Sequence, residues 1–129
     1  MAQIEEVAFP QLTSTELALV KPLATPCDYA DGETIFRAGQ ADIDLYIVES
    51  GQIEIRNPTD GHRVIVAHGP GQFSGDIDLL TGRPVIVTAV ARGETRVLRI
   101  PGGQLRALLN RVPSFGEKLI TAFTRRESS

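Results

Sequence analysis

The chain has 129 residues, 42% of them hydrophobic and 22% charged, which fits one soluble globular domain able to bury a core without disulfide or metal staples. Its formal net charge of −3 opposes nonspecific binding to nucleic acid, and it contains no run of about 18 apolar residues that would span a membrane. The start, Met1-Ala2-Gln3-Ile4-Glu5-Glu6, lacks the basic and apolar regions of a secretory leader, and Cys27 is the single cysteine, so a reducing cytoplasm is the expected location.

The first predicted element is a helix. Thr13 caps its backbone while Glu16 reaches back from three residues later, and Leu17, Val20 and Leu23 recur at helical spacing until Pro22 and Pro26 end it. Cys27 begins an apparent strand and reads as a small packed residue rather than a redox switch. Short β-like segments follow at 34–37, 44–50, 52–56, 63–68, 84–92 and 95–100, each bounded by turn residues. Asn57-Pro58-Thr59-Asp60-Gly61 is a hairpin signal, and the alternation in Gln52-Ile53-Glu54-Ile55-Arg56 predicts a strand with isoleucines inward and polar groups on a wet side.

Glycines at Gly32, Gly39, Gly51, Gly71, Gly75 and Gly93 supply the sharp corners that closing such a sheet needs, so an antiparallel barrel or jelly roll is expected. Two helices are predicted to finish the chain. The first, 103–110, carries Leu105, Leu108 and Leu109 on one side. The second, 114–126, opens with Ser114 and Glu117 in a capping box, has an apolar stripe of Phe115, Leu119, Ala122 and Phe123, and places Lys118, Arg125 and Arg126 in its cation-favouring C-terminal half.

The run Gly71-Gln72-Phe73-Ser74-Gly75-Asp76-Ile77-Asp78-Leu79-Leu80, followed after a loop by Val87-Thr88-Ala89, is the most informative stretch. A glycine turn leading straight into a short helix leaves several backbone N–H groups without intrahelical acceptors, and together they make an anion site. Gly75 would allow close approach to the ligand.

This stretch resembles the phosphate-binding cassette of cyclic-nucleotide-binding domains, the sensor fold of the catabolite activator protein family, whose usual wording is Phe-Gly-Glu-Leu, a loop, then Arg-Ser/Thr-Ala. Here Gly75-Asp76-Ile77 matches and Val87 stands where the arginine belongs. The resemblance extends over about residues 9–126 through Gly32-Glu33-Thr34-Ile35-Phe36-Arg37-Ala38-Gly39, the segment 45–55 and the closing helices. It implies a mainly β, double-stranded β-helix jelly roll with flanking helices, a single domain over 1–129, the cassette inside one end and the last helix over its mouth.

The resemblance gives Asp76 the ribose hydroxyl and, in a working sensor, Thr88 the phosphate. Val87 supplies neither charge nor donor to a desolvated phosphate, and Arg83 is the nearby cation that would have to stand in, with Asp76 and Asp78 in the same segment. Losing one partner of a buried charge pair costs about 3–5 kcal/mol, or roughly two to four decades in affinity. The candidate pocket is therefore Gly75, Asp76, Ile77, Arg83, Val87, Thr88 and Ala89, and tight binding of a cyclic nucleotide is not expected. The alternative is a working cAMP or cGMP sensor that uses Arg83 as counterion.

A narrower likeness, carried by 68–73, 78–83 and 119–126, is to sensor domains fused ahead of thioredoxin-reductase-like flavoproteins. It implies a neighbouring catalytic domain as partner, or a homodimer through the last helix. The chain has no flavin or nicotinamide fingerprint, so it is not itself expected to be an enzyme or to hold a cofactor. No recognition helix follows Arg126, so no nucleic-acid partner is expected. A metal enzyme would have to be built from His62, His68 and Asp76, which lack ligand spacing, and no metal is expected.

Overall fold

The computed structural model describes residues 10–41, 43–75 and 84–128, with the backbone alone at 123 and 125–128. Helix α1 is Ser14–Val20, and its capping box is formed as expected: the Thr13 hydroxyl accepts the Glu16 N–H at 3.1 Å and Glu16 Oε1 accepts the Thr13 N–H at 2.8 Å. A 3₁₀ turn at Lys21–Leu23, with Pro22 near its start, hands the chain to β1, Thr25–Tyr29.

The remaining strands are β2, Thr34–Phe36; β3, Leu45–Asn57; β4, Arg63–His68; β5, Phe73–Ser74; and β6, Thr88–Ile100. All pair antiparallel in one sheet of order β1–β6–β3–β4, with β2 also on β6 and β5 also on β3. The sequence predicts separate strands at 44–50 and 52–56, and at 84–92 and 95–100. The structure joins each pair into one bent strand of 13 residues and leaves 84–87 outside β6.

The bend has a local cause. Gly51 and Gly93 adopt φ +80° and +72°, and the β3–β6 register shifts between Ser50 and Gln52. Thr95, 3% exposed, fills the corner: its hydroxyl accepts the Gln52 N–H at 3.3 Å and lies 3.1 Å from the Gln52 carbonyl. A Cβ on Gly51 would strike the Glu94 carbonyl and the Thr95 Cα, so the glycine is required by close approach as well as by its φ. The 57–61 hairpin is formed, with Asn57 Oδ1 accepting the Thr59 N–H at 3.0 Å.

Alternation along β3 and β6 sorts the core into two clusters on opposite faces of the ladder. Tyr46, Val48, Ile53, Ile55, Ala89, Ala91 and Val97 join Phe36 inside the barrel. Leu45, Ile47, Leu98 and Ile100 carry the helices instead. The chain leaves β6 through a 3₁₀ turn at Gly102–Gln104, so the helix expected from residue 103 begins as α2, Leu105–Arg111. The last helix, α3, is Pro113–Ser128. Ser114 lies inside it rather than capping it, because its hydroxyl turns away to Glu16.

Glu54 departs from the wet-side expectation. It is only 8% exposed, held by Arg56 at 2.7 Å and Arg92 at 3.4 Å. Two more acid–arginine pairs join the same two strands, Glu49 with Arg96 at 3.4 Å and Asp44, just before β3, with Arg99 at 3.3 Å.

Candidate functional site

The described part of the cassette is built where β5 meets β3. Phe73 and Ser74 pair with Ile47 and Tyr46, and both are buried. Gly75 follows at φ +91°, and the atom its missing side chain makes room for is the Asp44 carbonyl of the chain itself. The close approach expected toward a ligand is thus at least in part a close approach of backbone to backbone. Asp76, Ile77 and Arg83, with the rest of 76–83, lie outside the described residues.

The chain comes back as Pro84-Val85-Ile86-Val87 and enters β6 at Thr88. Val85 is 1% exposed and tied by backbone to the turn after β2, accepting the Gly39 N–H at 2.6 Å and donating to Gln40 at 3.1 Å. Val87 is half-buried and packs on the barrel-interior cluster, on the same side as buried Ala89. The side chain at the position where the resemblance expects an arginine therefore does point into the barrel, and it is an alkyl group. Thr88 faces the other way, and its hydroxyl accepts the Ala38 N–H at 3.2 Å.

The interior that Val87 joins is apolar and aromatic. Phe36 and Tyr46 stack with ring centroids 5.6 Å apart. Burial, aided by the Asp44 charge, pushes the Tyr46 hydroxyl up to about 12, so it stays a neutral phenol. Val87 and Ala89 thus face the barrel interior and Thr88 is committed to backbone, while Gly75 follows β5 beside the Tyr46–Ile47 end of β3.

Sequence reasoning missed the polar centre on the helical side. Glu16, 6% exposed, receives Ser114 Oγ at 2.5 Å and Lys118 Nζ at 2.5 Å besides the Thr13 N–H. Burial alone would raise its pKa. The hydrogen bonds from Lys118, Ser114 and Thr13 and the Lys118 charge overturn that and hold the carboxyl at about 2. A capping-box glutamate gives no sign in sequence of a second partner about 100 residues later. A cleft of about 260 Å³ lies on the outer edge among Lys21, Pro26, Glu49, Arg96 and Leu98, where both cations are already paired with Glu49.

The expected apolar stripe of α3 is present in Phe115, Leu119 and Ala122, all buried. It packs on Leu45, Ile47, Leu98 and Ile100, the face opposite the barrel interior, and Phe115 meets Phe73 edge-on at 5.2 Å. Phe123, the next residue of the stripe, and the cations Arg125 and Arg126 lie outside the described side chains. Among the described residues no cluster of three or more His, Cys, Asp or Glu could hold a metal, and no helix is long and apolar enough to cross a membrane. His62 sits in the turn before β4 and His68, buried, ends that strand.

Bent antiparallel strands closed as a jelly roll, with helices packed on one face, are the architecture of the catabolite-activator kind. Residues 26–112 match the model of the cyclic nucleotide-binding domain, and the chain belongs to that family. It is similar over 94% of its length to the crystal structure of the Thermus thermophilus catabolite activator protein, with TM-score 0.78 and 28% identity, covering 58% of that chain. It is 29% identical over 111 residues to a CRP-like cAMP-activated global transcriptional regulator of Mycobacterium tuberculosis, covering 84% of this chain and 49% of the relative. A Rhodopseudomonas palustris protein that carries a potassium channel name is 36% identical over 115 residues, covering 86% of this chain and 27% of the relative. The chain thus spans about half or less of the length of these curated relatives.

Proposed function

We propose that this domain is a regulatory sensor or interaction module of the cyclic nucleotide-binding family whose phosphate cassette no longer binds a cyclic nucleotide tightly. One observation carries the reading: the position where the resemblance expects an arginine is Val87, and it packs on an apolar cluster. A cyclic phosphate placed there would shed its water without gaining a counterion, at about 3–5 kcal/mol. The pocket candidates are Gly75, Asp76, Ile77, Arg83, Val87, Thr88 and Ala89. The module spans the whole of 1–129 and acts on a neighbouring domain of a longer protein rather than as an enzyme. A flavoprotein of the thioredoxin-reductase kind is the partner the sequence likeness favours, and the short share of each curated relative that the chain covers fits a modular role.

Calorimetric titration with cAMP and cGMP tests this. The wild type should bind no tighter than millimolar, and Val87→Arg should gain roughly two to four decades. Micromolar binding by the wild type would refute the reading.

A second reading, a working sensor, is favoured by a relative named as cAMP-activated. It assigns the counterion to Arg83 and predicts that Arg83→Ala weakens binding more than Arg92→Ala, since Arg92 is engaged by Glu54 at 3.4 Å. Equal losses would remove it.

A further inference from the structure

The residues before and within α1 touch both the turn that leads into β5 and the last helix. On one side, the Leu12 N–H donates to the Gly71 carbonyl at 2.8 Å and Gln11 Nε2 donates to the Pro70 carbonyl at 2.6 Å. The fit there is tight, because a Cβ on Gly71 would come within 2.7 Å of Gln11 Cγ and 2.8 Å of the Leu12 carbonyl. The same turn is pinned to β3 by Gly71 N–H to Val48 O at 2.8 Å and Val48 N–H to Gln72 O at 2.9 Å, two residues before β5 gives way to Gly75.

On the other side, Lys118 Nζ bridges the Gln11 carbonyl at 2.9 Å and Glu16 Oε1 at 2.5 Å, and Ser114 holds Glu16 Oε2. Lys118 and Ser114 both belong to α3, and their target is buried, so the contact is less diluted by solvent than an exposed ion pair. A continuous path of charge-assisted and backbone hydrogen bonds thus runs from α3 through 11–16 to the turn that feeds the cassette. It lies beside the Phe73–Phe115 ring contact but shares no side chain with it.

We propose that Gln11–Glu16 is a polar strap that couples the Gly69–Gly75 turn to the last helix, so that displacing either one loosens the other. The coupling must be reciprocal, whichever end is perturbed. It concerns how the domain transmits a change and is independent of which ligand, if any, the pocket takes.

Amide hydrogen exchange followed by NMR on the full chain reads both ends at once. Lys118→Met removes the α3 end and should speed exchange of the Leu12 amide about fivefold or more, the worth of at least one hydrogen bond. Gln11→Ala, an exposed change expected to leave the fold intact, removes the side-chain bond to Pro70 at the turn end, leaving the Leu12–Gly71 bond, and should speed the amides of 115–122 by a similar factor. Lys21→Met breaks an exposed ion pair with Glu49 elsewhere and should move neither set. The proposal is overturned if Lys118→Met loosens α3 while Leu12 is unchanged, if Gln11→Ala acts only on the turn, or if all three variants speed every amide, including Ile53 and Leu98, by the same factor.

Discussion

Replacing Lys118 by methionine keeps most of the side-chain volume and deletes the charge that faces Glu16. If Glu16 were left uncompensated in a dry interior, the loss would be about 3–5 kcal/mol. Two features reduce it. Ser114 and the Thr13 N–H still serve the carboxylate, and the Lys118 side chain is 27% exposed, so water can enter where the ammonium was. We therefore expect Lys118→Met to cost about 2 kcal/mol, Glu16→Gln about 3 kcal/mol, the linkage worth of a carboxyl lowered from 4.5 to about 2, and the double variant about 1 kcal/mol less than their sum, measured by urea unfolding near neutral pH.

The pH dependence has a definite sign. A carboxyl at 4.5 when unfolded and about 2 when folded contributes stability that is fully present above 4.5 and fades as pH falls toward 2. The gap between wild type and Glu16→Gln should therefore narrow across that window, since the two become alike once Glu16 is protonated. Additivity within about 0.5 kcal/mol, or a gap as wide at the acid end as at neutrality, would refute the reasoning.

Gly75→Ala should destabilise by at least about 1–2 kcal/mol, because a left-handed φ is forced on an L residue and the new methyl meets the Asp44 carbonyl. Thermal unfolding checks it, and a neutral result would show that the 75–76 peptide reorients freely. Phe115→Ala should cost about 3–5 kcal/mol, since Phe115 is fully buried and loses its edge contact with Phe73. A loss below about 1 kcal/mol in urea unfolding would mean that α3 is not docked as described.

Much of the fold was legible because its signals are local. Thr13 and Glu16 stand three apart, Asn57 to Gly61 spell a turn, and the alternation from Gln52 to Arg56 marks an inward face, all within one or two turns of chain. The cassette is legible as a phrase, and its odd member, Val87, stands out by residue type alone. Where local reading failed, the cause was a partner far along the chain. Gly51 and Gly93 look like breaks between strands, but each is a bend inside one strand, because Thr95 reaches across to satisfy the Gln52 N–H at the corner. Ser114 looks like a cap, but a buried carboxylate 98 residues earlier in sequence attracts its hydroxyl.

By itself the sequence determined the class of architecture and the absence of an arginine at position 87, since both depend on residue type and spacing alone. Only the tertiary structure decided that Val87 turns inward beside Ala89 while Thr88 turns to Ala38, that Glu54 is covered by arginines, and that Glu16 joins the two ends of the domain. Those outcomes depend on which strand faces which and on what is left to solvate a charge, and a linear string carries neither distance nor burial.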